Sequence, residues 1–586
     1  MKLILEYMGH YKWRVTRAML LKLLGTFTEL LIPYVLEHLI DNVAPEKDIK
    51  KIIFWGVTMI VLAVLVRFIN VTANRQAVGI SKNATYEIRR DLFFKSVNLS
   101  GSQIDEFGLP SLTSRMTADS YNVQNFIRSV QTLGIRAPIL LVGGIVISMT
   151  MDRGLSTILC ILAPIMIVVV VSVSMKGVPL YNRVQQCVDD IVRVMRENIT
   201  GIRVVKALSK EDYEMNRFDG VNEDMTKKDV KAGVVMSLPG PIMSLALNIG
   251  LTIVVIVGAR RVNAGVTQPG VILAFLTYFN MILMGVLGLN RIFMMMSKAD
   301  ASANRIAEVI KSDTELLPIS EDEAAHTDNP DFIVFDDVSF GYNADGSESS
   351  NVGFVGEERQ MSLSNVNFSV KKGNTLGIIG PTGCGKTTII NLLMRFYDAT
   401  SGHIFVDGRD VRTYDRDSLH RKFGVVFQND VIFADTLASN ISFGRDVDES
   451  GIERAAQDAM AAEFISEYDD GYAHEANIRG ANLSGGQRQR ILIARAMAAN
   501  PDILVLDDAS SALDYRTDAN LRKAIREHHS DTTTITIAQR ISSIMSMDQI
   551  LVMDEGRIIG AGTHDELMKN CPEYIEIYNT QMGEEA

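Results

Sequence analysis

Three stretches of the sequence carry no charged residue over a length that matches a lipid bilayer: 154–175 ("GLSTILCILAPIMIVVVVSVSM"), 232–259 and 262–290. A helix crossing the hydrocarbon core needs about 20 consecutive, mostly apolar residues. In that core no water can satisfy the backbone, so such stretches close their own hydrogen bonds as helices. Two shorter runs, 52–66 and 137–151, span only with their flanks, and 15–40 is interrupted by Lys22, Glu29 and Glu37. Together they give six expected spans, all in the first half of the chain.

The rest of the composition calls for a second, soluble part. Hydrophobic residues make up 47% of the 586 and charged residues 22%. A net charge of −12 opposes a nucleic-acid role, which usually shows a basic face. The opening "MKLILEYMGHYKWRVTR" alternates apolar and basic residues and has no small-residue cleavage site. It reads as an amphipathic surface helix leading into the first span, not as a signal peptide. Cys160, Cys187, Cys384 and Cys571 are scattered, without the spacing of a zinc site or a disulfide framework.

Two long polar stretches separate spans two and three, and spans four and five. One carries Arg75, Lys82, Arg89, Arg90 and Lys95; the other carries Arg193, Arg196, Arg203 and Lys206. This bias places both on the cytoplasmic side, with both chain ends, and leaves Arg260 and Arg261 outside as an exception. Lys22, Glu29, Glu37, Arg67 and Arg136 are costly in hydrocarbon. They read first as interhelical pairs or snorkelling groups, and second as substrate or gate contacts. The methionine-rich "NRIFMMMSKAD" (290–300) reads as helix packing before it reads as a pliable binding wall.

After Glu308 the pattern changes. Residues 311–331 are acidic and without apolar period, a linker between a membrane domain (1–310) and a nucleotide-binding domain (332–586). Beyond the linker, short β-rich runs alternate with helical patterns, the signature of a largely parallel sheet. "NTLGIIGPTGCGKTTIINLLMRF" (374–396) is a strand, a glycine loop and a helix. Its glycines, Gly380, Gly383 and Gly385, let successive N–H groups face phosphate oxygens, with Thr382, Cys384 and Thr388 in the same loop and helix start. Lys386 reaches the β- and γ-phosphates and the Thr387 hydroxyl is a ligand for Mg²⁺. Cys384 reads as a small spacer. "ILVLD" (503–507) fits the partner strand, with Asp507 holding Mg²⁺ and the next residue, here Asp508, placed to polarise the attacking water. "NLSGGQRQRILIARAMAANP" (482–501) opens a helix on a glycine turn, and the N–H groups of Ser484 and Gly486 form a second expected anion site.

The glycine loop at 380–387 (Walker A), LSGGQ at 483–487, ILVLD at 503–507 (Walker B) and SALD at 511–514 resemble, in order and spacing, the ATP-binding cassette (ABC) exporters, specifically half-transporters with a six-span α-helical bundle and one α/β P-loop ATPase domain. The resemblance covers essentially the whole chain. It implies ATP and Mg²⁺ as ligands, Tyr342 stacked on adenine, Gln428 contacting Mg²⁺ and sensing the γ-phosphate, and Ser511 and Asp514 in the D-loop. It also implies that Ser484, Gly485, Gly486 and Gln487 face a partner's ATP, and that coupling helices lie near 111–120 and 208–217.

This sequence departs from the family pattern at four places. Asp508 stands where the family has glutamate, and Gln539 in "TIAQR" where it has a switch histidine. Asn477 and Ile478 replace the usual Gly-Glu pair before the signature, and residues 343–360 form a long insertion after Tyr342. An aspartate carboxylate stops about 1.5 Å short of a glutamate's, and a misplacement of about 1 Å can cost on the order of a hundredfold in rate. Glutamine donates a hydrogen bond but cannot become cationic. The bland reading is drift, with Asp508 still a base. The sharper reading is a hydrolysis-poor site in a chain whose intact signature completes the active site of a different partner, which should carry the glutamate and the histidine. That makes the chain a subunit of a heterodimeric exporter of hydrophobic or amphipathic compounds in the cell membrane. A slow homodimeric exporter, an ATP-binding regulatory membrane subunit and an importer are the alternatives.

Overall fold

The computed structural model describes residues 1–313, 316–342 and 361–583; the 343–360 insertion lies outside the described residues. The chain forms two units, Met1–Val97 with Pro110–Ser312, and Asn98–Leu109 with Asp313–Ala586.

The first unit is helical. Among the described residues six helical segments are long and apolar enough to cross a membrane: Lys12–Glu46, Ile49–Val97, Leu109–Met151, Arg153–Ala207, Glu211–Asn263 and Pro269–Ile310. The polar stretches between spans are not loops. They continue the helices: Arg153–Ala207 runs unbroken for 55 residues, about 80 Å at 1.5 Å per residue, well beyond a hydrocarbon core of about 30 Å. In the N-terminal helix Lys2–Gly9, Leu3 and Ile4 are buried and the Tyr7 hydroxyl is 2.7 Å from Asp91. Leu5 of the same helix stays exposed.

Helices in lipid gain little from hydrophobicity against one another, so small residues and polar pairs hold them together. A Cβ on Gly285 would stand 2.8 Å from the Ala137 carbonyl oxygen, and one on Gly288 2.8 Å from the Ala137 methyl, so helices Pro269–Ile310 and Ser120–Met151 approach where side chains vanish. Three of the five intramembrane charges have polar partners. Lys22 donates to the side-chain carbonyls of Asn70 (2.7 Å) and Asn74 (3.1 Å), and Arg136 makes two bonds to Glu29. Asp152 accepts from the N–H groups of Gly154 and Leu155 at a helix start and also holds Arg261 at 3.1 Å, which neutralises one of the two arginines that break the charge bias. Asp41 likewise caps the last span, accepting from the N–H groups of Gly270 and Val271.

The second unit is α/β. A four-stranded sheet has the order β2-β1-β4-β5 and a six-stranded sheet the order β10-β9-β3-β8-β7-β6. The strands are β1 (Ile333–Gly341), β2 (Met361–Val370), β3 (Thr375–Ile379), β4 (Ser401–Val406), β5 (Arg409–Asp410), β6 (Phe423–Val426), β7 (Ile503–Asp507), β8 (Thr533–Ile537), β9 (Gln549–Asp554) and β10 (Arg557–Gly562). In the larger sheet β9, β3, β8, β7 and β6 pair in parallel and β10 is antiparallel. All five residues of β7 and of β8 are buried, as expected for parallel strands covered on both faces. Because β3, β8, β7 and β6 are successive neighbours, the segments leaving their carboxyl ends emerge side by side, where open parallel sheets bind ligands. The short helix Gly101–Phe107 belongs to this unit too: the Gly101 N–H donates to the Phe396 carbonyl and the Tyr397 hydroxyl donates to Asp105 at 2.6 Å. A coupling helix was expected near 111–120, which instead continues as helix Leu109–Ser114 and a π-turn, Arg115–Asp119. Helix Gly101–Phe107 is started by a capping box in which Ser100 and Gln103 bond each other's backbone N–H.

Candidate functional site

The glycine loop follows β3 and feeds helix Lys386–Leu393. Gly383 and Gly385 have φ of +89° and +98°, a region that L residues rarely enter. A Cβ on Gly385 would also fall 2.6 Å from a Leu363 methyl and 2.7 Å from the Ser362 carbonyl, so β2 fixes glycine there a second time. Lys386 donates to the carbonyls of Gly380 (2.8 Å) and Pro381 (2.7 Å), which holds its ammonium over the loop. Thr382, Gly383 and Thr387 are on the exposed side of the loop, while Cys384 and Thr388 are buried. Burial pushes the Cys384 thiol up, against the pull of Lys386, so it stays a thiol and a spacer. Thr388 turns away from the loop mouth: its hydroxyl accepts from that of Tyr342 at 3.3 Å. The Tyr342 ring packs edge-on to Phe340 and Tyr397 at the end of β1.

Asp507 ends β7 fully inside the sheet edge. Its Oδ2 accepts from the Thr387 hydroxyl at 2.9 Å, so the two residues expected to bind one cation are in contact. Burial first, and then the charge of Asp508, raises the Asp507 carboxyl above its ordinary range, while Thr387 and Lys386 hold it down in part. At Asp508 the chain leaves the sheet in a left-handed conformation, φ +52°, with its N–H still donating to the Ile537 carbonyl of β8. Aspartate is among the few side chains that accept this backbone readily. Burial raises the Asp508 carboxyl as well, offset by the nearby Arg540 and Lys386.

Gln539 follows β8 by two residues, and its Nε2 donates to Asp508 Oδ2 at 2.9 Å. Two of the four places that depart from the resembled pattern are therefore bonded to each other. Gln428 is exposed two residues beyond β6, at the same sheet edge.

The signature segment is arranged differently from the expectation at one atom. Ser484 caps helix Gly485–Met497 through its hydroxyl, and its own N–H donates to Gln487 Oε1 at 2.8 Å, closing a capping box. That N–H is thus engaged within the turn, and the anion site read from the sequence rests on the glycines. A Cβ on Gly486 would lie 3.3 Å from the Ala512 carbonyl, so the signature and the SALD turn are packed against each other. Within that turn, the Ser511 hydroxyl donates to the Asp508 carbonyl, and Asp514 caps helix Tyr515–His528 through Thr517. Before the signature, Ile478 is exposed and Arg479 has φ +59°.

Two contributors were not visible in the sequence. Arg522 donates to the Ser542 carbonyl at 2.7 Å, and Gln581 bonds the backbone on both sides of Arg540. Both act on backbone atoms, which leave no motif.

Residues 15–287 match the family described as ABC transporter transmembrane region, and residues 363–511 the family described as ABC transporter. The uncharacterized ABC transporter ATP-binding protein YfiB of Bacillus subtilis (strain 168) is 33% identical over 100% of this chain and 99% of its own length. A similarly described protein, MT1311 of Mycobacterium tuberculosis (strain CDC 1551 / Oshkosh), is 32% identical over 99% of this chain and 98% of its own. A solved structure of a bacterial Atm1-family ABC exporter with ATP bound aligns with a TM-score of 0.78 at 25% identity, covering 98% of this chain and 99% of that one. With six candidate spans, a P-loop ATPase sheet and these relatives, the chain belongs to the ABC transporter family as a half-transporter, one membrane domain and one ATPase domain in a single polypeptide.

Proposed function

We propose that this chain is one subunit of a heterodimeric ABC exporter in the cell membrane, with both termini cytoplasmic, and that its own ATP site holds nucleotide longer than it cuts it. The observation that carries the reading is the 2.9 Å bond from Gln539 to Asp508.

The loop amides and Lys386 bind the phosphates, with Tyr342 against adenine. Thr387 and Asp507 place two hard oxygens in contact, a donor pair that suits Mg²⁺. Mg²⁺ bound with ATP supplies neutralisation of phosphate charge. Gln428 completes the γ-phosphate side. Asp508 is the residue placed to accept a proton from attacking water. The amide that donates to its carboxylate ties up one of the two oxygens, while burial holds the carboxyl above its ordinary range. Gln539, neutral at every pH, stabilises developing charge less than an imidazolium does. Ser484, Gly485, Gly486 and Gln487, with Ser511 and Asp514, serve the second ATP of the assembly, whose Walker motifs belong to the partner. Substrates are hydrophobic or amphipathic compounds such as drugs or lipids.

Isolation of the tagged full-length chain from its native membrane tests the pairing. Recovery of a second, different half-transporter in equal amount, carrying glutamate and histidine at the two altered positions, supports the reading. A transport-competent assembly made only of this chain overturns it in favour of the slow homodimer.

A further inference from the structure

We infer that Gln581, in the last turn of the C-terminal helix, is a positioning residue that sets Gln539 against Asp508; the inference rests on the nucleotide site proposed above.

The switch segment leaves the sheet early. Ala538 still donates to Ile378 of β3, but beyond it the chain turns into a 3₁₀ turn, Ile541–Ser543, and the ladder ends. Gln581 replaces the missing strand. Its Nε2 donates to the Gln539 carbonyl at 2.8 Å, and its Oε1 accepts from the Ile541 N–H at 2.7 Å. One planar amide thus satisfies an acceptor and a donor two residues apart. Among neutral side chains that reach this far, only glutamine offers both groups.

The helix that presents Gln581, Pro572–Met582, is itself anchored at the same place. Tyr574 is fully buried in a cluster with Ile379 at the end of β3, Ala538 just before the switch glutamine and Ile541 just after it. Arg522 holds the far end of the turn through the Ser542 carbonyl and is braced by Asp518. Gln539 itself is exposed, so the backbone clamp supplies the order that its surroundings do not. The side chain then needs only its own rotamers to reach Asp508 or a γ-phosphate.

The test is the release rate of a fluorescent, non-hydrolysable ATP analogue with Mg²⁺ from the full-length transporter assembled in lipid, in wild type, Gln581→Ala, Gln539→Ala and the double variant. Gln581→Glu is the second variant. It keeps the acceptor for Ile541 but sets a carboxylate against the Gln539 carbonyl, and the site is exposed. Each single substitution should speed release about threefold or more, and the double should be no faster than Gln539→Ala alone, because coupled residues are not additive. Gln581→Glu should match Gln581→Ala. Additive effects, or a Gln581→Ala release rate equal to wild type, overturn the inference. If the ATPase of Asp508→Glu with Gln539→His stays at the wild-type rate while release is non-additive, the hydrolysis-poor reading falls and the clamp stands.

Discussion

The Gln539 amide and the Asp508 carboxylate are 2.9 Å apart although 31 residues separate them in the chain. Adjacent parallel strands bring them together: Asp508 follows β7, Gln539 follows β8, and the register pairs Asp507 with Ile537. A change at either position is felt at the other, so substitutions there are expected to be non-additive.

Lys386→Ala removes the ammonium that the Gly380 and Pro381 carbonyls hold over the loop. Loss of a charge-assisted phosphate contact should weaken ATP binding by about tenfold or more. Equilibrium titration with a fluorescent ATP analogue checks it, and unchanged affinity would place the phosphates elsewhere.

Gly385→Ala puts a methyl into both a left-handed backbone, φ +98°, and the Ser362 carbonyl. The backbone strain alone is on the order of 1–3 kcal/mol, and the close contact adds to it. The variant should lose its fold at a lower temperature than wild type in the same lipid or detergent. Gly471→Ala, with a positive φ but nothing within 4 Å of the added methyl, should lose less.

Burial raises the carboxyls of Asp507 and Asp508. On acidification they take up protons before an ordinary aspartate, at about 3.9, does. For stability the sign is that of a raised acid. The native state binds more protons than the unfolded chain between the ordinary and the raised values. Without metal, the penalty for burying these charges is therefore relieved as pH falls through that window. Metal-dependent binding moves the other way, because a protonated Asp507 offers no anionic oxygen. A titration of Mg²⁺-dependent ATP affinity should fall above the ordinary carboxylate range, with Asp507→Asn weak and flat. An affinity constant down to that range would contradict the assignment of Asp507.

Tyr397→Phe deletes the hydroxyl that bonds Asp105 of the docked helix at 2.6 Å and leaves the ring packing against Phe340 and Tyr342. If helix Gly101–Phe107 carries the coupling, basal ATPase should persist while transport per ATP falls. Parallel measurement of ATPase and of dye movement in vesicles checks this, and an unchanged ratio would remove the bond from the coupling route.

Much of the architecture could be read before the structure, for physical reasons. Charge-free segments such as 154–175 have one stable outcome in lipid, and the strand "ILVLD" is apolar up to its last residue, Asp507, because both faces of β7 are covered. Helix Gly101–Phe107 leaves no mark in the sequence beyond the Ser100 and Gln103 capping box, since a short helix in a polar stretch has no apolar period. The Ser484 N–H was read as an anion donor because the same Ser-x-x-Gln pattern that caps the helix also defines the signature. The Gln539–Asp508 bond and the Gln581 clamp depend on strand order and on backbone atoms, neither of which a single sequence displays.

Asp508 and Gln539 together hold ATP at the expense of cutting it. The most direct measurement is the steady-state ATPase of the assembled transporter carrying Asp508→Glu with Gln539→His in this chain, beside Asp508→Ala. The rate should rise clearly in the double variant and fall little in Asp508→Ala, since the resident carboxylate contributes little turnover. An unchanged rate in the double variant, or a collapse of activity in Asp508→Ala, would contradict it and make Asp508 the working base of this site.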